Sequence, residues 1–102
     1  MYRYQIHAQV QMAHWRDFQA LLDELNTVGR TKGFVPFPLW EAAVGRSNDF
    51  LIVAEYDTLE AYEREQHALH AHAAYMNLWR EISTHTDGVP WTDLWWRPSE
   101  AV

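Results

Sequence analysis

The sequence predicts an α+β domain in the order β-α-β-β-α-β, the ferredoxin-like split of a four-stranded antiparallel sheet with two helices. Three observations predict it: strict alternation at Tyr2–Val10, a helical stripe at His14–Val28, and a strand–turn–strand at 39–56 that runs into a second helical stretch. Right-handed crossovers place both helices on one face of the sheet and leave the other face bare.

In the first segment Tyr2, Tyr4, Ile6, Ala8 and Val10 point one way and Arg3, Gln5, His7 and Gln9 the other, the period of a half-buried strand. The period then changes. Trp15, Phe18, Leu21, Leu22, Leu25 and Val28 form one apolar stripe with Asp17, Asp23 and Glu24 outside it, an amphipathic helix ended by Gly29 or Gly33. Two prolines make 33–38 an extended entry rather than a central strand. A second strand follows at 39–44, a turn at Gly45–Asn48, and a third strand at 49–56.

Asp57 to Ser83 reads as one long helix, opened by a capping box of Asp57 with Glu60. Leu59, Tyr62, Gln66, Leu69, Ala73 and Met76 lie along one side of it. Towards its end the apolar residues drift round to Tyr75, Trp79 and Ile82, as if this end met a second surface such as a partner chain. The run 84–88 and Pro90 stop it. A Trp-rich fourth strand is expected at 89–97, making 1–98 a single domain and 99–102 a tail.

Composition excludes several function classes. A net charge of −6 argues against nucleic-acid binding, which calls for a basic stripe. No apolar run approaches the roughly 20 residues that span a bilayer. The chain has no cysteine, hence no disulfide, thiolate nucleophile or thiolate metal site, and a cytoplasmic protein is the expected reading. Six Trp and five Tyr exceed what a small core needs, so some rings are expected to line a cavity or an interface.

On the fourth strand, Trp91, Asp93, Trp95 and Arg97 mix rings with charges and are assigned to the bare face, with Thr92, Leu94 and Trp96 turned to the helices. Glu41 and Glu55 are expected to avoid the helix-covered core. The bare face then gathers Arg3, Gln5, His7, Trp91, Asp93 and Trp95, a description of a small-molecule cavity once a second copy of the sheet packs over it.

The opening YRYQIHAQV, the block WEAAVGRSNDFLIVAEYDTLEAYE and the late AAYMNLWREI resemble the dimeric α+β barrel superfamily, and within it the NIPSNAP-like proteins. The Trp40…Gly45…Asn48 hairpin running into Glu55-Tyr56-Asp57 and a helix carries most of that resemblance. It implies a homodimer with two sheets facing each other around an interior. Relatives in the superfamily include cofactor-free monooxygenases, polyketide cyclases and haem-degrading enzymes. The haem-degrading pattern asks for Asn on the first strand, Trp on the third and His on the second helix. Here the first strand offers Gln5 and Gln9, the third Phe50 and Tyr56, and only the helix histidines match, so haem degradation is disfavoured.

For chemistry, His7 is the candidate acid–base, since imidazole can take and give a proton near neutral pH. Arg3 is the candidate anion stabiliser, and Asp93 or Glu55 would orient His7 or act as a base. Trp91 and Trp95 would wall a flat apolar or aromatic ligand, with Gln5 beside them and His72 at the mouth. The expected reaction uses no cofactor: cyclisation or isomerisation of a polyketide-like substrate, or oxygenation of an electron-rich phenol. Alternatively, Arg3, His7 and Asp93 simply pair across a packed, non-catalytic interface. Glu63, His67 and His70 have a spacing that suits three metal ligands on one helix side, and equally that of a solvated flank, so no metal is assigned. His14 and His85 receive no role.

Overall fold

The computed structural model of the chain describes residues 1–98, and the expected tail at 99–102 lies outside the described residues. Its elements are β1 (Tyr2–Gln9), a short 3-10 turn (Met12–His14), α1 (Trp15–Thr31), β2 (Leu39–Glu41), β3 (Asp49–Tyr56), α2 (Leu59–Ala71), α3 (Ala73–Ser83) and β4 (Trp91–Trp96). The four strands form one antiparallel sheet in the order β2-β3-β1-β4. This is the expected ferredoxin-like α+β architecture. No helix among the described residues is long and apolar enough to cross a membrane.

One core lies between the helices and one face of the sheet. The sheet supplies Val10 together with Phe50, Ile52, Ala54 and Tyr56, whose alternation turns every second residue of β3 inward. From α1 come Phe18, Leu22 and Leu25, and from the later helices Leu69, Tyr75 and Ile82. The segment between α1 and β2 seals the side of this core with Phe37. Asn26 holds it there, accepting from the Phe37 N–H at 2.8 Å and donating to the Phe37 carbonyl at 3.0 Å, while Glu65 accepts from the Val35 N–H at 2.7 Å.

The long helix is two helices. At His72 the backbone is extended (φ −96°, ψ 98°), and the His72 Nδ1 accepts from the Tyr75 N–H at 3.1 Å, capping α3. The break resets the helical phase. Leu69 stays over the sheet while Tyr75 and Ile82 turn against α1, where a Cβ on Gly29 would stand 3.4 Å from the Tyr75 ring. The second surface implied by the drifting apolar stripe is therefore α1 of the same chain. The start of α2 also differs: Thr58, not Asp57, is the N-cap, its hydroxyl accepting from the Ala61 N–H at 3.0 Å. Thr58→Ala should lower stability by about 1 kcal/mol, read as a shift of the urea midpoint with unchanged slope.

The second strand stops at Glu41 rather than at residue 44. Beyond it Ala42–Val44 have nothing to bury them, and the chain turns through Gly45 at φ +141° to an Asp49 N–H bond with the Arg46 carbonyl at 3.1 Å. Glu41 is exposed, as expected for a carboxylate, although its strand partner Phe50 faces the core. On β4 the row opposite the bare face fares differently from expectation. Leu94 is 38% and Trp96 64% exposed, because β4 is an edge strand at the margin of what the helices cover.

Candidate functional site

The pairing registers fix what the uncovered face presents. Trp40, Leu51, His7 and Trp91 form one row across all four strands, Val53, Gln5 and Asp93 the next, and Glu55, Arg3 and Trp95 the third. This is the grouping expected from the period-two patterns, with Trp40, Leu51 and Val53 added. Trp40, Trp91 and Trp95 stand 60%, 58% and 61% exposed, an unusual concentration of indole surface on one face.

His7 is the best-positioned side chain of the set. Its ring stacks on Trp91 with centroids 3.6 Å apart and planes 4° from parallel. Its Nε2 lies 3.2 Å from Asp93 Oδ2, a diagonal cross-strand contact, and Gln5 Nε2 donates to Asp93 Oδ1 at 3.1 Å. Partial desolvation pushes the Asp93 carboxyl up, but hydrogen bonds from Trp95, Gln5 and His7 and the nearby imidazole charge outweigh it and leave Asp93 below the ordinary 3.8. An ionised carboxylate only accepts hydrogen bonds, so a neutral His7 imidazole beside it carries its proton on Nε2 and offers Nδ1 as the acceptor.

Because the folded value of Asp93 is depressed, its contribution to stability is present above the unfolded value and lost as pH falls through the folded one, below about 4. A side-chain carbon NMR titration should place the Asp93 midpoint below 3.8 and move it upward in Gln5→Leu, which removes one donor.

Two hollows flank Trp40. The larger, of about 640 Å³, is lined by His7, Trp91, Gln9, Leu51 and Asp49 on the sheet and by Asp87, Gly88 and Val89 of the loop before β4. Gln9 donates to Asp49 Oδ1 at 3.0 Å on its floor. The smaller, of about 330 Å³, is lined by Arg3, Glu55, Val53, Pro36 and Pro38, with Trp40 and Leu51 shared between the two. Arg3 sits 3.9 Å from Glu55 there. It lies four positions from His7 on an extended strand, about 13 Å at ordinary strand rise. The structure thus joins His7, Asp93, Gln5, Trp91 and Trp95 into one constellation and puts Arg3 and Glu55 into another.

These features sit on a fold shared with known structures. A NIPSNAP domain protein from Burkholderia xenovorans superposes with a TM-score of 0.78 at 11% identity, covering 98% of this chain and 97% of that one. An antibiotic biosynthesis monooxygenase superposes at 0.74 with 14% identity, covering 97% and 100%. A NIPSNAP family protein from Agrobacterium tumefaciens gives 0.75 at 9% identity, covering 97% and 93%. The chain has the NIPSNAP and antibiotic-biosynthesis-monooxygenase fold. No family model and no curated protein matches the chain by sequence.

The remaining candidates lie on the helix layer of this NIPSNAP-like fold. His72 caps α3 and meets Phe34 edge-on at 6.1 Å, on the side of the sheet away from both hollows. Glu63, His67 and His70 are exposed on α2, with His70 Nδ1 2.6 Å from the Gln66 carbonyl. They do not form a convergent ligand set among the described residues. Trp40 is the residue that sequence reasoning left without a role. Apolar residues on both sides of the short β2 hide its facing, and only the register with Leu51 reveals it.

Proposed function

We propose that two copies of this chain close their uncovered faces over one another, and that the interior takes a small apolar or aromatic molecule on which His7 acts as acid–base. The observation that carries the reading is the Asp93–His7 pair stacked on Trp91 at the wall of the larger hollow. Hiding about 100 Å² of each of three indoles is worth roughly 2.5 kcal/mol apiece. The two copies together hide six such indoles, roughly 15 kcal/mol, at the upper end of the range of about 4–15 kcal/mol that association costs. Leu51 and the apolar residues of the smaller hollow add to it.

Within a dry interior, Nδ1 of His7 takes the proton of a bound phenol or enolisable ketone, and Asp93 steadies the imidazolium that forms. The resulting phenolate or enolate can cyclise, isomerise or be oxidised by dioxygen, with no cofactor required for the proton transfer. The likeness in fold to an antibiotic biosynthesis monooxygenase supports the oxidative branch. We place the homodimer in the cytoplasm. The position of Arg3 favours a second reading, a non-catalytic structural or binding dimer with a packed interior, because Arg3 lies beside Glu55 in the other hollow, away from His7.

A thermal-shift screen with electron-rich phenols and polyketide-like ketones, followed by oxygen-uptake and absorbance assays on the hits, separates these readings. Turnover of a stabilising compound supports catalysis. Stabilisation without turnover supports the binding protein.

A further inference from the structure

Outside the open face, three side chains from distant parts of the chain converge at the other end of the helix layer. His14 ends the 3-10 turn and precedes α1, Asp17 lies in the first turn of α1, and His85 follows α3. Their ligand atoms all lie within 4.8 Å of one another, the one such group among the described residues. Nδ1 of His14 and Nδ1 of His85 face each other at 3.1 Å, with ring centroids 4.9 Å apart.

Backbone bonds fix both histidines. The His85 carbonyl accepts from the Gln11 N–H at 2.9 Å, its N–H donates to the Ile82 carbonyl at 3.1 Å, and Thr86 bridges to Val10. Neither imidazole serves a helix: His14 makes no capping bond to α1. Two neutral imidazoles that meet nitrogen to nitrogen satisfy each other with one proton, whereas a cation between them uses both lone pairs. Metal–nitrogen bonds of about 2.0–2.1 Å at tetrahedral angles put ligand atoms about 3.3–3.4 Å apart, close to the separation seen. Asp17 is exposed and needs only a small side-chain adjustment to complete the set.

We propose that His14, Asp17 and His85 form a three-ligand site for a divalent transition-metal ion, with zinc the ion that suits two imidazoles and a carboxylate and water the fourth ligand. The ion staples the start of α1 to the loop after α3. That loop continues into Asp87, Gly88 and Val89, one wall of the larger hollow, so metal loading steadies the cavity from outside it. The site stands independently of the reaction proposed for His7.

The test uses untagged, chelator-stripped full-length protein titrated with zinc ions by calorimetry, with cobalt as a visible-absorption probe of tetrahedral geometry. One ion per chain is expected, with an unfolding midpoint that rises with the logarithm of zinc concentration. His85→Gln should weaken binding by more than the about 10–100-fold that loss of a mere supporting partner causes, and Asp17→Asn should weaken it less. A His67→Gln/His70→Gln double variant should bind like the parent. Absence of stoichiometric binding, or binding that survives Asp17→Asn and His85→Gln but disappears in the α2 double variant, overturns the proposal. Should His85→Gln fail to fold, the exposed Asp17→Asn and the α2 variant decide it, since loss in the former alone supports the site and loss in the latter alone removes it.

Discussion

Replacing His7 by Gln is expected to lower turnover of a phenolic or enolisable substrate by about 10²–10⁴-fold while leaving the fold and the subunit association intact. That range corresponds to about 2.7–5.5 kcal/mol of barrier. Glutamine keeps an amide N–H that can reach Asp93, so the cross-strand contact at 3.2 Å has a substitute. What it cannot supply is the unprotonated Nδ1, a base that the Asp93 carboxylate holds in one tautomer. Circular dichroism and sedimentation of the variant check the structural side. Unchanged turnover would make the His7–Asp93 pair a packing feature, and the binding-only reading would take its place.

A second large effect is expected from Leu51→Arg. Leu51 sits in the middle of the uncovered face, between Trp40 and His7 in one row and against both hollows. In a single protomer it is half-buried, so the charged side chain can reach water and the fold should persist. In a closed dimer two guanidinium groups would be buried without partners, at several kcal/mol each. The dimer dissociation constant should therefore rise by at least about a thousandfold, as 1.4 kcal/mol is tenfold. Ligand stabilisation should vanish with it. A variant that remains dimeric would mean that the subunits meet through another surface.

The parts of the fold that were legible in the sequence are those set by local periodicity. Alternation in Tyr2–Gln9 separates Tyr4 and Ile6 from Gln5 and His7, and the same period places Trp91, Asp93 and Trp95 on one side of β4. Breaks and endings were harder to read. His72 interrupts a helical pattern with no proline or glycine, and the cause is tertiary: Tyr75 must reach Gly29 on α1. A histidine side chain that caps a helix mimics the Asn or Asp that usually signals one. The early end of β2 arises because no neighbour covers Val44, which a sequence of alanines and valine does not announce.

At the candidate site, membership of a face was readable but contact was not. Arg3 and His7 share a side of β1, yet four residues of extended chain keep them in different hollows, each with its own carboxylate. The pairing of Glu55 with Arg3 and of Asp93 with His7 follows from strand register, and register is not written in either strand alone. The meeting of His14 with His85 is less visible still, since 71 residues separate them and only the docking of the loop after α3 onto the end of β1 brings them together.

The proposed pocket and its chemistry require a second copy to close the face that bears Trp40, Trp91 and Trp95. Sedimentation equilibrium of the untagged protein at micromolar concentration measures this directly. A mass twice the 12.1 kDa of the chain, falling to 12.1 kDa in Leu51→Arg, is the result expected. A parent protein that sediments at 12.1 kDa across that range would contradict it.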